Sequence, residues 1–216
     1  MQLPISTTMY TGGICSADGE SGNLWALIGE SYFMNIGFDL DRVFINYPPF
    51  IPPKLIDWLY KDYSKKELSY SIPHSPLAKL IRRSSHIPIF RPKIKQNISF
   101  VKNLAQTPSH KLFLISSRYK FLEKLTSQLL QKTGLAQVFQ GIYLNSANAQ
   151  PHLFKEAVIK ENRIALYVDD DLALLKHLHK TCPGIRLLWY NPQNRQHDAN
   201  GITPIHNLAD MVKFIK

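Results

Sequence analysis

The sequence predicts an α/β protein: a Rossmann-like parallel sheet wound with helices on both faces, plus a small, mostly helical insert near its start. Three observations carry this. Lys111-Leu112-Phe113-Leu114-Ile115, Ile164-Ala165-Leu166-Tyr167-Val168 and Ile185 to Trp189 are continuous apolar runs, the mark of strands buried on both sides. Amphipathic stretches of helical period alternate with them. A proline-rich segment interrupts the pattern between residues 47 and 92.

Residues 1–33 differ in character from the rest of the chain. Thr11-Gly12-Gly13 and Ser16 to Asn23 are small and polar, and Trp25-Ala26-Leu27-Ile28 is the only apolar cluster. An N-terminal extension is expected here, poorly ordered and outside the core; a docking arm is the alternative. Met34-Asn35-Ile36-Gly37-Phe38-Asp39 then runs straight into the first strand. The core is expected over 34–46 and 93–216, with the insert over 47–92. Within the insert, Pro48, Pro49, Pro52 and Pro53 precede a stretch of helical spacing, Lys54 to Tyr63. There Trp58, Tyr60 and Tyr63 read as the insert's own core. Leu77 to Arg83 forms a second short helix, and Pro88 and Pro92 close the segment.

The regular pattern resumes with a helix at Ile98 to Leu104 and the 111–115 strand. Tyr119 to Thr133 carries Phe121, Leu122, Leu125, Leu129 and Leu130 on one stripe, and Gly134 is placed to end it. Val138 to Leu144 reads as a short strand, and His152 to Glu161 as a helix with Leu153, Ala157 and Val158 inward. The 164–168 strand, a helix at Leu172 to His179, the Ile185 to Trp189 strand and a helix at Asn207 to Ile215 complete the chain. His177 and His179 point apart on their helix, so they read, with Cys182, as surface residues rather than a metal site.

The totals exclude several classes. The 216 residues suffice for one core with an insert. A hydrophobic fraction of 44% and a charged fraction of 19% are ordinary for a globular chain. No apolar run reaches the ~18–20 residues of a membrane span, and no basic-then-apolar leader opens the sequence. Cys15 and Cys182 make neither a metal-ligand spacing nor a disulfide framework, which suits a reducing, cytoplasmic setting. The net charge of +10 draws in anions: phosphorylated small molecules, nucleic acids or acidic membranes.

In a doubly wound sheet the functional crevice lies beyond the carboxyl ends of the strands. The first strand ends in Asp39-Leu40-Asp41. Carboxylates at i and i+2 on an extended strand point to the same side. Two buried like charges cost free energy, and a bound cation is the simplest compensation. The 111–115 strand ends in Ser116-Ser117-Arg118 and the 164–168 strand in Asp169-Asp170-Asp171, with Lys155 on the helix just before. Carboxylates, a hydroxyl and an ammonium thus converge on one rim. These are the parts that phosphoryl transfer needs.

The ordered set resembles the haloacid dehalogenase superfamily. Its four motifs stand here as FDLDRV (38–43), LFLISS (112–117), Lys155 within HLFKEA, and LYVDDD (166–171). The resemblance spans Met34 to the C-terminus, and the 47–92 insert lies where this superfamily places its first type of cap. It implies a phosphatase in which Asp39 attacks phosphorus and Asp41 acts as acid and then base. Mg2+ would be held by Asp39, the backbone carbonyl of Asp41 and Asp170, with Asp169 as second choice. Ser116, with Ser117 competing, would bond a phosphoryl oxygen, and Lys155, with Lys160 competing, would neutralise its charge. Arg42 stands where many members have Gly, beside the site and able to touch substrate. Asp41 favours phosphate chemistry over carbon–halogen cleavage, because a departing halide needs no proton. A compact cap implies a small phosphorylated metabolite or nucleotide as substrate. One rival is a phosphotransferase or mutase of the same superfamily. The other, not favoured, is a non-catalytic module binding nucleic acid through Lys79, Arg82, Arg83, Arg91, Lys93 and Lys95.

Overall fold

Five successive parallel pairings build one six-stranded sheet. Its strands are β1 (Met34–Phe38), β2 (His110–Tyr119), β3 (Gly141–Asn145), β4 (Leu166–Asp169), β5 (Arg186–Tyr190) and β6 (Thr203–Ile205). The spatial order is β3-β2-β1-β4-β5-β6, so β1 and β4 are central neighbours. The computed structural model describes residues 34–48, 68–73, 75–87 and 91–215, within one compact unit, Tyr32–Lys216. The expected extension over 1–33 and the expected helix Lys54 to Tyr63 lie outside the described residues.

Helices cover both faces. On one face, α2 (Lys95–Leu104), α3 (Glu123–Thr133) and a closing 3-10 helix (Leu208–Phe214) pack on Ile36, Phe38, Leu112, Leu114, Leu166 and Val168. On the other, α4 (Pro151–Glu161) and α5 (Leu172–Thr181) pack on Ile115, Tyr167, Leu187 and Trp189. Alternate residues of each strand feed opposite clusters, which is why the central strands read as unbroken apolar runs. Local signals set the helix ends. Asp171 caps α5, its carboxylate accepting from the Ala173 N–H at 3.0 Å. Gly134 ends α3 with φ 72°, a left-handed turn that costs glycine little.

The insert leaves and rejoins the core at one place. Ile45 and Lys93 form an antiparallel bridge, flanked by Asn46 N–H to Pro92 O and Ile94 N–H to Phe44 O, both 2.8 Å. Its described helix is α1 (Pro76–Ser84), capped by Ser75. Tyr70 docks the insert onto the core: its N–H donates to Gln150 Oε1 at 2.9 Å, and Gln150 Nε2 donates back to its carbonyl at 3.3 Å.

Several elements differ from expectation. β6 was not expected, being three residues with a central proline, which only an edge strand tolerates. β3 starts at Gly141 rather than Val138, because Val138 caps the 3-10 turn Leu135–Gln137 in a helical conformation, its N–H bonded to the Leu135 carbonyl. The final helix is 3-10 rather than α, held by a reciprocal Asn207–Asp210 capping box. On α4, Leu153 and Ala157 are exposed, and the inward stripe is His152, Lys155, Val158 and Ile159. The helix is turned so that Lys155 meets buried carboxylates. Cys182 is buried in the α5 cluster rather than on the surface, and His177 is half-buried, its Nε2 2.7 Å from Glu156. Among the described residues, no helix is long and apolar enough to cross a membrane.

Candidate active site

The central pairing of β1 with β4 brings their carboxyl ends side by side. Asp39 follows β1, its N–H bonded to the Val168 carbonyl at 3.0 Å. Asp169 ends β4, and Asp170 follows it. One carboxylate oxygen from each of Asp39, Asp169 and Asp170 lies within 4.8 Å of the others. Lys155 enters from α4 below them. Its Nζ donates to Asp39 Oδ1 and Asp169 Oδ2, both at 2.6 Å. Tyr167 adds a hydroxyl donor to Asp169 Oδ2 at 2.9 Å. Gly37 permits this, because any Cβ there would stand 2.8 Å from the Tyr167 ring.

Charge does not balance within this group. Burial alone would lower the Lys155 ammonium, but Asp169 and Asp39 hold it well above the ordinary lysine value. The Lys155 ammonium and the Arg42 guanidinium, 3.1 Å from Asp170, cannot together neutralise three carboxylates. Burial therefore raises Asp39 well above the usual carboxylate range against the pull of Lys155, helped by Asp169, Asp41 and Asp170. Burial likewise lifts Asp170 to about 7, opposed by Arg42 and assisted by Asp169 and Asp171. A surplus of buried negative charge on convergent hard oxygens fits a divalent cation such as Mg2+.

Asp41 is separate. β1 ends at Phe38, so Asp41 lies in the following turn, not on the strand beside Asp39. Its carboxylate accepts from Arg118 Nε at 2.8 Å and Nη2 at 2.7 Å, a two-point fork, and from Arg91 Nη1. Burial would raise its pKa, but the two guanidiniums reverse that and hold it well below the ordinary range. Arg118 stands on β2 where its register with β3 shifts, between Ser116 and Tyr119.

A cleft of about 410 Å³ opens over these groups. Tyr70, Arg82 and His86 of the insert line it together with Asp39, Lys155 and Asp170. The Tyr70 hydroxyl donates to Asp171 Oδ2 at 2.7 Å. Trp189 is held at the rim by its Nε1–H, which donates to the Asp170 carbonyl at 3.0 Å.

No family model and no curated protein matches the sequence. Solved structures do match the fold. A haloacid dehalogenase-like family hydrolase from Streptococcus pneumoniae is 16% identical with a TM-score of 0.59, covering 86% of this chain and 100% of its own. A HAD-superfamily hydrolase of subfamily IA from Geobacter sulfurreducens is 10% identical with a TM-score of 0.51, covering 86% and 97%. A haloacid dehalogenase-like hydrolase from Xanthomonas campestris is 12% identical with a TM-score of 0.50, covering 85% and 96%.

The chain has the haloacid dehalogenase fold.

On that fold the expected residues separate into groups. Asp39, Lys155, Asp169 and Asp170 come together. Lys160 does not: it is exposed and pairs with Glu156 at 2.6 Å. Ser117 lines the cleft, and its Oγ is buried with no hydrogen-bond partner among the described residues. Ser116, the first choice from sequence, is buried but outside the cleft lining, its Oγ only 3.5 Å from the Arg118 N–H. Asp171 serves chiefly as the α5 cap. Sequence reasoning assigned no site role to Arg118, Tyr70, His86, Trp189 or Tyr167. Tyr167 carries a readable signal, lying two residues before Asp169 and thus on the same strand face. Arg82 of the basic segment is buried and lines the cleft, and Arg91 is buried against Asp41, while Lys79, Arg83, Lys93 and Lys95 are exposed.

Proposed function

We propose that this chain is a Mg2+-dependent phosphatase that hydrolyses a small phosphate monoester, a metabolite or nucleotide, through an aspartyl-phosphate on Asp39. The observation that carries this reading is the Asp39–Asp169–Asp170 cluster, bound from beneath by Lys155 and open to the cleft.

Asp39 attacks phosphorus, its Oδ–P bond forming as the ester P–O bond breaks. Lys155 aims the Asp39 carboxylate and supplies positive charge beside the transferring group. The Ser117 Oγ–H is the available donor for a phosphoryl oxygen. Asp41 faces the cleft as the acid for the leaving oxygen and the base for the water that frees Asp39. Proton donation requires the Arg118 and Arg91 guanidiniums to withdraw from it first. Asp39, Asp169 and Asp170 would hold the Mg2+, whose charge offsets repulsion between the nucleophile and an anionic ester. Buried, free Cys182 suits the reducing, cytoplasmic setting proposed with it.

The test is a screen of phosphorylated metabolites with and without Mg2+, run beside Asp39→Asn. The parent is expected to hydrolyse at least one ester only when Mg2+ is present. Asp39→Asn should lose about a thousandfold or more of that rate. Equal turnover by the variant would remove Asp39 as nucleophile.

A further inference from the structure

Arg42 occupies a backbone position that its residue type resists. Its φ is 59°, in the left-handed region, which costs a non-glycine residue about 1 kcal/mol or more. Its N–H is fixed to the Ile45 carbonyl at 2.6 Å, and its side chain is buried. A strained, buried arginine persists only where its guanidinium is well placed. Here Nη1 lies 3.1 Å from Asp170 Oδ2, and Cζ lies 5.5 Å over the Tyr47 ring. Asp170 is one of the three clustered carboxylates.

Two cations therefore serve this cluster, and they are held unequally. Lys155 has two carboxylate contacts at 2.6 Å. Arg42 has one, at 3.1 Å. Attraction scales with charge over distance. A divalent ion at about 2.1 Å from oxygen outcompetes a delocalised single charge at the longer distance. Arg42 is the contact that yields. The ion and Lys155 then balance the three carboxylates between them, which leaves the guanidinium charge for another anion. Arg42 and Tyr47 both line the cleft, so the released guanidinium keeps the ring as a resting place.

We infer that Arg42 is a tethered stand-in for the metal: it neutralises Asp170 in the free protein, gives Asp170 up to the arriving divalent ion, and turns to the phosphoryl group in the cleft. This rests on the proposed magnesium site, and its last step also on the proposed phosphate chemistry.

Calorimetric titration of MgCl2 into the full chain without substrate tests it, using the parent, Arg42→Met and Arg42→Gly. Met keeps an apolar stem over Tyr47, and Gly suits the left-handed backbone, so folding does not decide the result. Both variants are expected to bind Mg2+ about tenfold more tightly than the parent. Inorganic phosphate titrated into the Mg2+-saturated proteins should then bind the variants about tenfold more weakly. Unchanged or weaker Mg2+ binding in both variants overturns the inference and leaves the metal reading standing. Mg2+ binding by none of the three proteins sinks the metal reading and the inference together. Tighter Mg2+ binding with unchanged phosphate binding overturns the last step alone.

Discussion

Gly37 joins the core to the site through a single missing methyl group. A Cβ there would stand 2.8 Å from Tyr167 Cδ2, 3.2 Å from Ile164 Cγ2 and 3.3 Å from Ile115 Cδ1. These are core side chains with little room to yield. Gly37→Ala is therefore expected to lose about 1–3 kcal/mol in urea unfolding, as overpacked sites do. The displaced Tyr167 ring would also loosen its bond to Asp169. An unchanged or raised unfolding midpoint would show that the ring is not pinned there. Asp39, Lys155 and the Asp169–Asp170 pair were legible because acidic and basic side chains at strand ends stand out against apolar runs. Which of Ser116 and Ser117 faces the cleft was not. A strand buried on both faces has no polar alternation to say which residue looks which way. Only the packed sheet shows that Ser117 shares the Ile115 side, where Lys155 sits, while Ser116 shares the Leu114 side.

At the scale of elements, α1 is followed by a buried histidine that the fold keeps neutral. His86 Nδ1 lies 2.7 Å from the Arg82 carbonyl, an acceptor only, so Nδ1 carries the proton. Burial, then the charges of Arg91 and Arg118, push its pKa well below 6.5, with Asp41 and the Arg82 carbonyl opposing. The unfolded chain takes up a proton at this residue below pH 6.5 and the folded chain does not. Stability is thus complete above about 6.5 and lost as pH falls towards the depressed folded value. His86→Gln, which can still donate to the Arg82 carbonyl, should remove that loss. Between pH 7.5 and pH 5 the parent is expected to lose up to about 2 kcal/mol more than the variant. Parallel stability curves for the two proteins would contradict it. Elements of this kind were partly legible. The long buried strands and the amphipathic helices were read from their periods. β6 was not, because three residues around Pro204 offer no period. The inward stripe of α4 was misread because Lys155 is polar by composition yet buried by partnership.

Across the whole molecule, β1 and β4 are far apart in sequence but central in the sheet, so the charge of the carboxylate cluster at their ends and global stability are linked. The helix–strand alternation made the parallel sheet legible. It did not make the strand order legible, and that order is what turns two acidic strand ends into one cluster. The cluster is destabilising as long as its surplus negative charge is unmatched. A divalent ion that binds only the folded state must therefore raise the melting temperature. At a Mg2+ concentration about a hundredfold over Kd, the linkage is worth about 2.7 kcal/mol. For a chain of this size that corresponds to roughly 5–10 °C. Asp39→Asn removes one carboxylate of the cluster while leaving Lys155 paired to Asp169. Its melting temperature without metal should equal or exceed the parent's, and its rise with Mg2+ should largely vanish. Thermal melts with EDTA, with Mg2+, and with NaCl at matched ionic strength separate ion binding from general screening. An equal Mg2+-specific rise in Asp39→Asn, or none in the parent, would mean that the clustered carboxylates are not where the ion and the fold meet.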